Sequence, residues 1–435
     1  IVFLGLAAAL FGHWLEKAGP RKAGVAAAIF WGGGLMVTSL GVSLHQLWLI
    51  WLGAGVIGGI GLGLGYISPV STLIKWFPDR RGLATGMAIM GFGGGAMIGM
   101  PLGDYLIKAN GVGETFFIMG LIYLIAMTIG AFGYRVPAEG WKPEGWNPVA
   151  KKTNNMISSS HVHVSNAHKT PQFWLLWGVL CLNVSAGIGV LSVAKPMFQE
   201  IAASSFDPLI IGAIATGFGA LLSLANIIGR IFWASSSDFL GRKLTYAIFF
   251  SLGTALYLAA PWAGINQYIA TFVLITLVIL TMYGGGFATI PAYLADIFGT
   301  QHVGAIHGRL LTAWSLAGIV GPMLISYLRE YQLSMGIPTD QAYNSSFKIL
   351  ALLLVAGFIL NLLVKPVNKK FGMTPAELKA EQGALKGIQT NSSVVASVTN
   401  TSMQKILLPL AWIVVGVPIT LGILNALQKG IIIFL

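Results

Sequence analysis

Charge is what this sequence has least of. Only 9% of its 435 residues are Asp, Glu, Lys or Arg, against 55% hydrophobic, and the mean hydropathy is +0.77. A soluble domain carries charge on roughly a quarter of its residues, so that class is excluded. Cysteine is nearly missing too: Cys181 stands alone in an apolar run, which excludes a disulfide framework and a cysteine-based metal site. No strand-length segments of alternating polarity occur, which excludes a transmembrane β-barrel. Glycine runs such as "GFGGGAMIG" have no strand before them and so form no nucleotide loop. No motif calls for ATP hydrolysis, covalent catalysis or a cofactor, so the chain is not read as an enzyme. What remains is an all-α, multi-pass protein of the lipid bilayer.

Apolar runs of the length needed to cross hydrocarbon fall at 1–15, 24–43, 47–75, 83–107, 115–135, 172–194, 208–236, 244–263, 267–296, 304–328, 346–366 and 405–430. The net charge of +12 sits between them, at alternate connections: Lys17, Arg21 and Lys22; Arg80 and Arg81; Arg135 to Lys169; Arg242 and Lys243; Lys365 to Lys370. That asymmetry is topological and marks these loops as cytoplasmic, so the basic balance does not indicate nucleic acid. The placement expected is a plasma membrane, the inner membrane of a bacterium.

An internal repeat organises the runs. Glu16 and Asp238, Gly19 and Gly241, Gly82 and Gly304, Gly86 and Gly308, and Gly99 and Gly321 are each 222 residues apart. Two halves in one register are the signature of a duplicated transporter. The divisions expected are a first half at 1–135, a cytoplasmic linker at 136–171, a second half at 172–370, a polar linker at 371–404 and an extra transmembrane helix at 405–435. At this offset Ile1 matches Ser223, inside the second helix of the second half. The repeat therefore predicts that the opening helix of the first half precedes the given sequence, leaving helices 2–6 there and helices 7–12 in the second half.

The loop pattern G-x-x-x-D/E-x-x-G-x-R/K occurs around Glu16, Gly19 and Arg21, and recurs in the second half, with Ala234 at its first position, around Asp238, Gly241, Arg242 and Lys243. It resembles the signature of the major facilitator superfamily. Within that superfamily, "YISPVSTLIKWFPDRRGLATGMAIMGFGGGAMIG" and "GAIHGRLLTAWSLAGIVGP" resemble the oxalate:formate antiporter family, a relative of the monocarboxylate transporters. The resemblance implies two pseudo-symmetric six-helix halves, alternating access and a small carboxylate as substrate.

Arg230 is the charge that needs a reason, because it interrupts the run at 208–236. Its repeat mate is Ala8, so packing shared by the halves does not require it. One reading has it snorkel about 12 Å toward the cytoplasmic headgroups. In the other its planar guanidinium clamps a carboxylate through two parallel hydrogen bonds, which suits Arg better than Lys. The resemblance favours the clamp, since Arg230 and Ala234 match the family's carboxylate anchor. It also implies that Tyr66, Tyr283 and Phe287 line the cavity, where Trp314 stands in place of the lysine of oxalate-type members. Those four aromatics are expected to form an apolar box for a short carbon chain, and a single cation favours a monoanion of the lactate, pyruvate or formate class over a dicarboxylate. Animal-type relatives have an aspartate where this chain has Asn226, which cannot take up a proton. Proton symport, uniport and exchange for a counter-anion all stay open.

His307 and Arg309, near the start of a helix, are read as gate or headgroup contacts. His161, His163 and His168 in the polar linker are read as a solvated loop rather than a metal cluster. The extra helix at 405–435 suggests a second class of function, a membrane carboxylate sensor or scaffold that docks a protein partner there.

Overall fold

The computed structural model describes residues 1–137, 141–145, 156–158 and 160–389, with isolated positions between 409 and 433. The helix expected at 405–435 therefore lies for most of its length outside the described residues. The described residues are mostly helical, and among them the only β-type pairing is an isolated bridge between Val162 and Gly372. The apolar runs between 1 and 366 form helices, because a chain in hydrocarbon must satisfy its backbone internally, and the short Ala194–Ile201 joins two of them. In order these are α1 (Val2–Ala18), α2 (Pro20–Ser43), α3 (Leu47–Trp76), α4 (Arg81–Gly133), α5 (Pro171–Ser192), α6 (Ala194–Ile201), α7 (Ile211–Leu240), α8 (Arg242–Ile265), α9 (Ile269–Phe298), α10 (Val303–Ser334) and α11 (Asn344–Leu363). Nine of the described helices are long and apolar enough to cross a membrane. The chain is a multi-pass membrane protein.

Local chemistry sets the ends. Pro20 and Pro171 sit at the first helical position, where their missing N–H costs nothing, and the Thr170 hydroxyl accepts from the Phe173 amide at 3.4 Å. The long α4 is broken at Gly111, whose φ of 81° only glycine adopts without strain, into two helical stretches. The linker is not a free loop where it is described. The Ser158 and Val162 amides donate to the Asp296 and Phe298 carbonyls, at 2.7 and 2.9 Å. The polar segment after α11 contains a helix, α12 (Pro375–Gln389), opened by a reciprocal cap between Thr374 and Glu377.

The 222-residue repeat reappears in the backbone. Among the described residues the two non-glycine positions with positive φ, His45 at 54° and Gln267 at 56°, are repeat mates. So are Pro69 and Pro291 inside α3 and α9, and Gly19 and Gly241, which end α1 and α7 with nearly the same φ. The halves meet along α1 against α10 and along α4 against α7, and these two contacts exchange under the repeat. A Cβ at Gly86 would lie 2.6 Å from the Arg230 carbonyl oxygen, and one at Gly308 would overlap the Ala8 carbonyl oxygen. Small residues let these backbones approach, because lipid tails give no hydrophobic drive for helix association. The same close approach places the Arg230 side chain at the seam between the halves.

Candidate functional site

Helix α7 presents Asn226, Arg230 and Ala234 on one face, since residues four apart stack along a helix. Arg230 is only 3% exposed. Its Nε donates to Asn226 Oδ1 at 3.0 Å and its Nη1 donates to the Ile89 carbonyl of α4 at 2.8 Å. Asn226 lies one turn farther from the basic end of α7 than Arg230 does, so the side chain runs away from the basic face, opposite to a snorkelling arginine. The Phe287 ring centroid is 5.5 Å from the guanidinium carbon, a cation–π contact. Among the described residues no carboxylate pairs with Arg230 and Nη2 has no partner. A buried guanidinium neutralised by nothing is costly, and it is the electrostatic feature that most needs a ligand.

Around it the aromatics gather as a closed cluster, not an open box. Phe287 and Trp314 lie 4.5 Å apart, Tyr66 and Phe287 5.4 Å, and Tyr66 and Trp314 6.2 Å, centroid to centroid. Phe92 joins them, 5.5 Å from Trp314. Tyr283 adjoins them from the second half: its ring packs on Gly187 of α5 and lines a small void with Asn183 and Met282, and its hydroxyl lies beside Trp314 and the Arg230 guanidinium. His307 is 1% exposed and lies edge-on to Tyr66 at 5.6 Å, a position that no headgroup reaches. Three buried polar atoms of the cluster, Tyr66 Oη, Trp314 Nε1 and His307 Nε2, have no hydrogen-bond partner among the described residues. Leaving one such group unmade costs about 1–3 kcal/mol, so three around one unpaired cation mark a site built for something polar.

The basic face above this cluster is shut by a charge network that crosses the seam. Asp238 accepts from the Gly82 and Leu83 amides at 2.9 and 3.0 Å, capping the positive N-terminus of α4. Arg242 pairs with Asp238 at 2.6 Å and with Asp296 at 3.2 Å, and Arg81 reaches Asp296 from the first half at 3.1 Å. The loop residues of the first half act within their half: Arg21 donates to the Tyr134 carbonyl at 2.9 Å, at the end of α4. Its repeat mate Lys243 likewise caps α11 at Leu362 and Val364. The Glu16 side chain lies outside the described residues.

Two halves related by a repeat, joined at two equivalent seams and latched by a loop motif at one face, make up a transporter architecture. The profile of the Major Facilitator Superfamily matches residues 1–322 and 184–434. The chain belongs to the major facilitator superfamily. It is similar to the oxalate:formate antiporter of Oxalobacter formigenes, 26% identical over 376 residues that cover 84% of this chain and 82% of that one. Monocarboxylate transporter 12 of Mus musculus is 24% identical, covering 86% and 77%. In fold it resembles the Escherichia coli fucose:proton symporter, with a TM-score of 0.60 and 12% identity over 84% of this chain and 89% of that one. As a major facilitator superfamily transporter it is not an enzyme.

Four participants of this superfamily site were not singled out from the sequence. Ile89 and Phe92 lie in "GMAIMGFGGG", a stretch dominated by small residues, and the Ile89 contribution is a backbone oxygen that no side-chain pattern encodes. Arg81 and Asp296 were legible only as a loop cation and as the lone acid of "FATIPAYLADIFG". The remaining sequence candidates separate: Arg309 Nη1 bonds the Val164 carbonyl at 2.8 Å and His168 Nδ1 at 3.0 Å, which ties α10 to the linker. His161, His163 and His168 do not converge on one another. His163 instead meets His302 and Glu381.

Proposed function

We propose that this transporter carries a small monocarboxylate anion of the lactate, pyruvate or formate class by alternating access, with Arg230 as its carboxylate anchor. One observation carries the reading: a buried guanidinium without a carboxylate, ringed by unsatisfied Tyr66 Oη and Trp314 Nε1 donors. A carboxylate taking the Nη1–Nη2 edge gains two parallel charge-assisted hydrogen bonds, and Tyr66 and Trp314 are placed to donate further. Nη1 carries two N–H groups, so one turns to the carboxylate while the other keeps the Ile89 carbonyl, which belongs to the other half. The substrate is thereby held by a side chain that bonds both halves, so its contacts differ between the two arrangements that alternating access requires. With the basic loops in the cytoplasm of a plasma membrane, the network at Arg81, Asp238, Arg242 and Asp296 closes the cytoplasmic side.

The same electrostatics favour exchange. Asn226 takes up no proton, so an empty site would carry an unneutralised buried charge through the transition between faces. Returning with a second anion removes that cost. One cation also matches one carboxylate, so a dianion such as oxalate leaves a charge unmet. Counterflow of labelled pyruvate in proteoliposomes tests the proposal. Uptake is expected only when an unlabelled monocarboxylate fills the lumen, with lactate and formate competing and oxalate or malonate competing poorly. Tighter competition by oxalate would overturn the monoanion reading, and equal uptake into empty vesicles would overturn exchange.

A further inference from the structure

Away from the seam, on the basic face, three segments far apart in sequence converge through side chains that bind metals. His163 comes from the linker, His302 from the turn after α9 and Glu381 from α12. His163 Nε2 is 3.1 Å from Glu381 Oε1, and His302 Nε2 is 2.7 Å from Glu381 Oε2. All their candidate ligand atoms lie within 4.8 Å of one another, and the two imidazole rings meet edge to face at 4.8 Å. We propose that His163, His302 and Glu381 form a binding site for a divalent transition metal, Zn²⁺ by preference, which clips the linker and α12 to the end of α9.

The donor set decides the metal. Two imidazoles and one carboxylate suit Zn²⁺, whereas Mg²⁺ and Ca²⁺ require oxygen ligands. Tetrahedral zinc holds its ligands at about 2.0–2.2 Å, so they stand roughly 3.3–3.5 Å from one another. The two separations from Glu381, 3.1 and 2.7 Å, fall short of that value by about 0.2–0.8 Å and all the candidate atoms lie within 4.8 Å, so a shift of the Glu381 carboxylate by less than about 1 Å admits the ion. His302 is buried while His163 and Glu381 are about one-third exposed, which leaves an entry path and a fourth position for water. The outer shell is present as well. Ser165 Oγ lies 2.6 Å from His163 Nδ1, where it accepts the proton that a metal-bound imidazole carries there. The weaker 3.2 Å contact from the Ser165 amide gives way in that state. The ion would strengthen a docking already made by backbone bonds from Ser158 to Asp296 and from Val162 to Phe298. Since Asp296 also holds Arg81 and Arg242, the clip lies beside the charge network that shuts this face.

The full chain, purified without a histidine tag and stripped with chelator, is titrated with Zn²⁺ by calorimetry in detergent. One equivalent is expected to bind. His163→Ala and Glu381→Gln are each expected to weaken binding by more than about 100-fold, since loss of an outer-shell partner alone costs about 10–100-fold. Both positions are partly exposed, so these variants keep the fold, and His45→Ala, on an exposed turn between α2 and α3, should bind as the parent does. No stoichiometric Zn²⁺ in the parent, or parent-like affinity in either variant, would overturn the site. Zn²⁺ is also expected to slow hydrogen exchange at the Ser158 and Val162 amides, and unchanged exchange there would overturn the clip. Neither readout depends on transport.

Discussion

Replacing Arg230 separates what the arginine does for binding from what it does for the fold. A lysine keeps the positive charge but supplies a single ammonium, so it cannot hold Asn226 Oδ1 and both oxygens of a carboxylate in one plane. The Arg230→Lys protein loses the counterpart of the 3.0 Å bond from Nε and one of the two parallel bonds to substrate. A hydrogen bond to a charged group is worth about 1.5–3 kcal/mol, so affinity should fall by roughly 10- to 150-fold. Arg230→Met removes the charge and keeps most of the volume. Replacing buried charges with apolar groups is neutral or stabilising by about 1–4 kcal/mol. The substrate-free Met variant should therefore melt no lower than the parent, and its melting temperature should no longer rise with pyruvate. Calorimetric titration and thermal unfolding, with and without ligand, read both effects. Unchanged affinity in the Lys variant would refute the clamp. A Met variant that melts well below the parent without ligand would refute the claim that the charge stands unneutralised in the empty site.

Other perturbations test neighbouring parts. Trp314→Lys puts a second cation beside Phe287 and should improve competition by oxalate relative to pyruvate in counterflow; no change in that ratio would count against the charge-matching argument. Asp296→Asn removes one partner from each of Arg81 and Arg242 and should open the basic face, read as faster labelling of cysteines introduced there in a Cys181→Ser background. If residues 405–430 span the bilayer, a tag after Leu435 should be reached from outside intact cells; access from the cytoplasm alone would indicate an interfacial helix instead.

The sequence showed the helices plainly because hydrocarbon imposes one rule on every span, and apolar length alone reveals it. The repeat was equally plain, since Gly19 and Gly241 must both reach φ near 85° and only glycine does so freely. The site was half legible. Arg230 stood out by its cost, and Asn226 by its spacing of one turn. That Tyr66, Phe287 and Trp314 close on one another, with Tyr283 reaching Trp314 from a seat on Gly187, depends on which way each ring packs, which spacing does not specify. The helix at Pro375–Gln389 opens at "TPAE", a capping box inside a segment whose polar composition otherwise indicates a linker. The convergence of His163 with His302 and Glu381 joins segments whose separation no local pattern encodes.

The pseudo-symmetry makes a prediction that a chance packing would not. Gly86 rests on the Arg230 carbonyl and Gly308 on the Ala8 carbonyl, and both pairs are the same contact under the 222-residue repeat. If the halves rock about these two seams, a methyl group at either glycine opposes the closed basic face in the same way. The added Cβ cannot stay 2.6 Å from the Arg230 oxygen, so α4 and α7 must separate by several tenths of an ångström. Overpacking of that kind costs about 1–3 kcal/mol, enough to shift a two-state equilibrium by roughly 5- to 150-fold. Spin labels at Arg80 and Phe239, both exposed and on opposite halves of the basic face, report the separation. Gly86→Ala and Gly308→Ala should each lengthen the interlabel distance, although only the first touches the helix that carries Arg230. A change in Gly86→Ala alone would mean that the seam at α4 and α7 serves the arginine and that the repeat is a relic of ancestry. Lengthening in both would establish that the halves move on paired hinges.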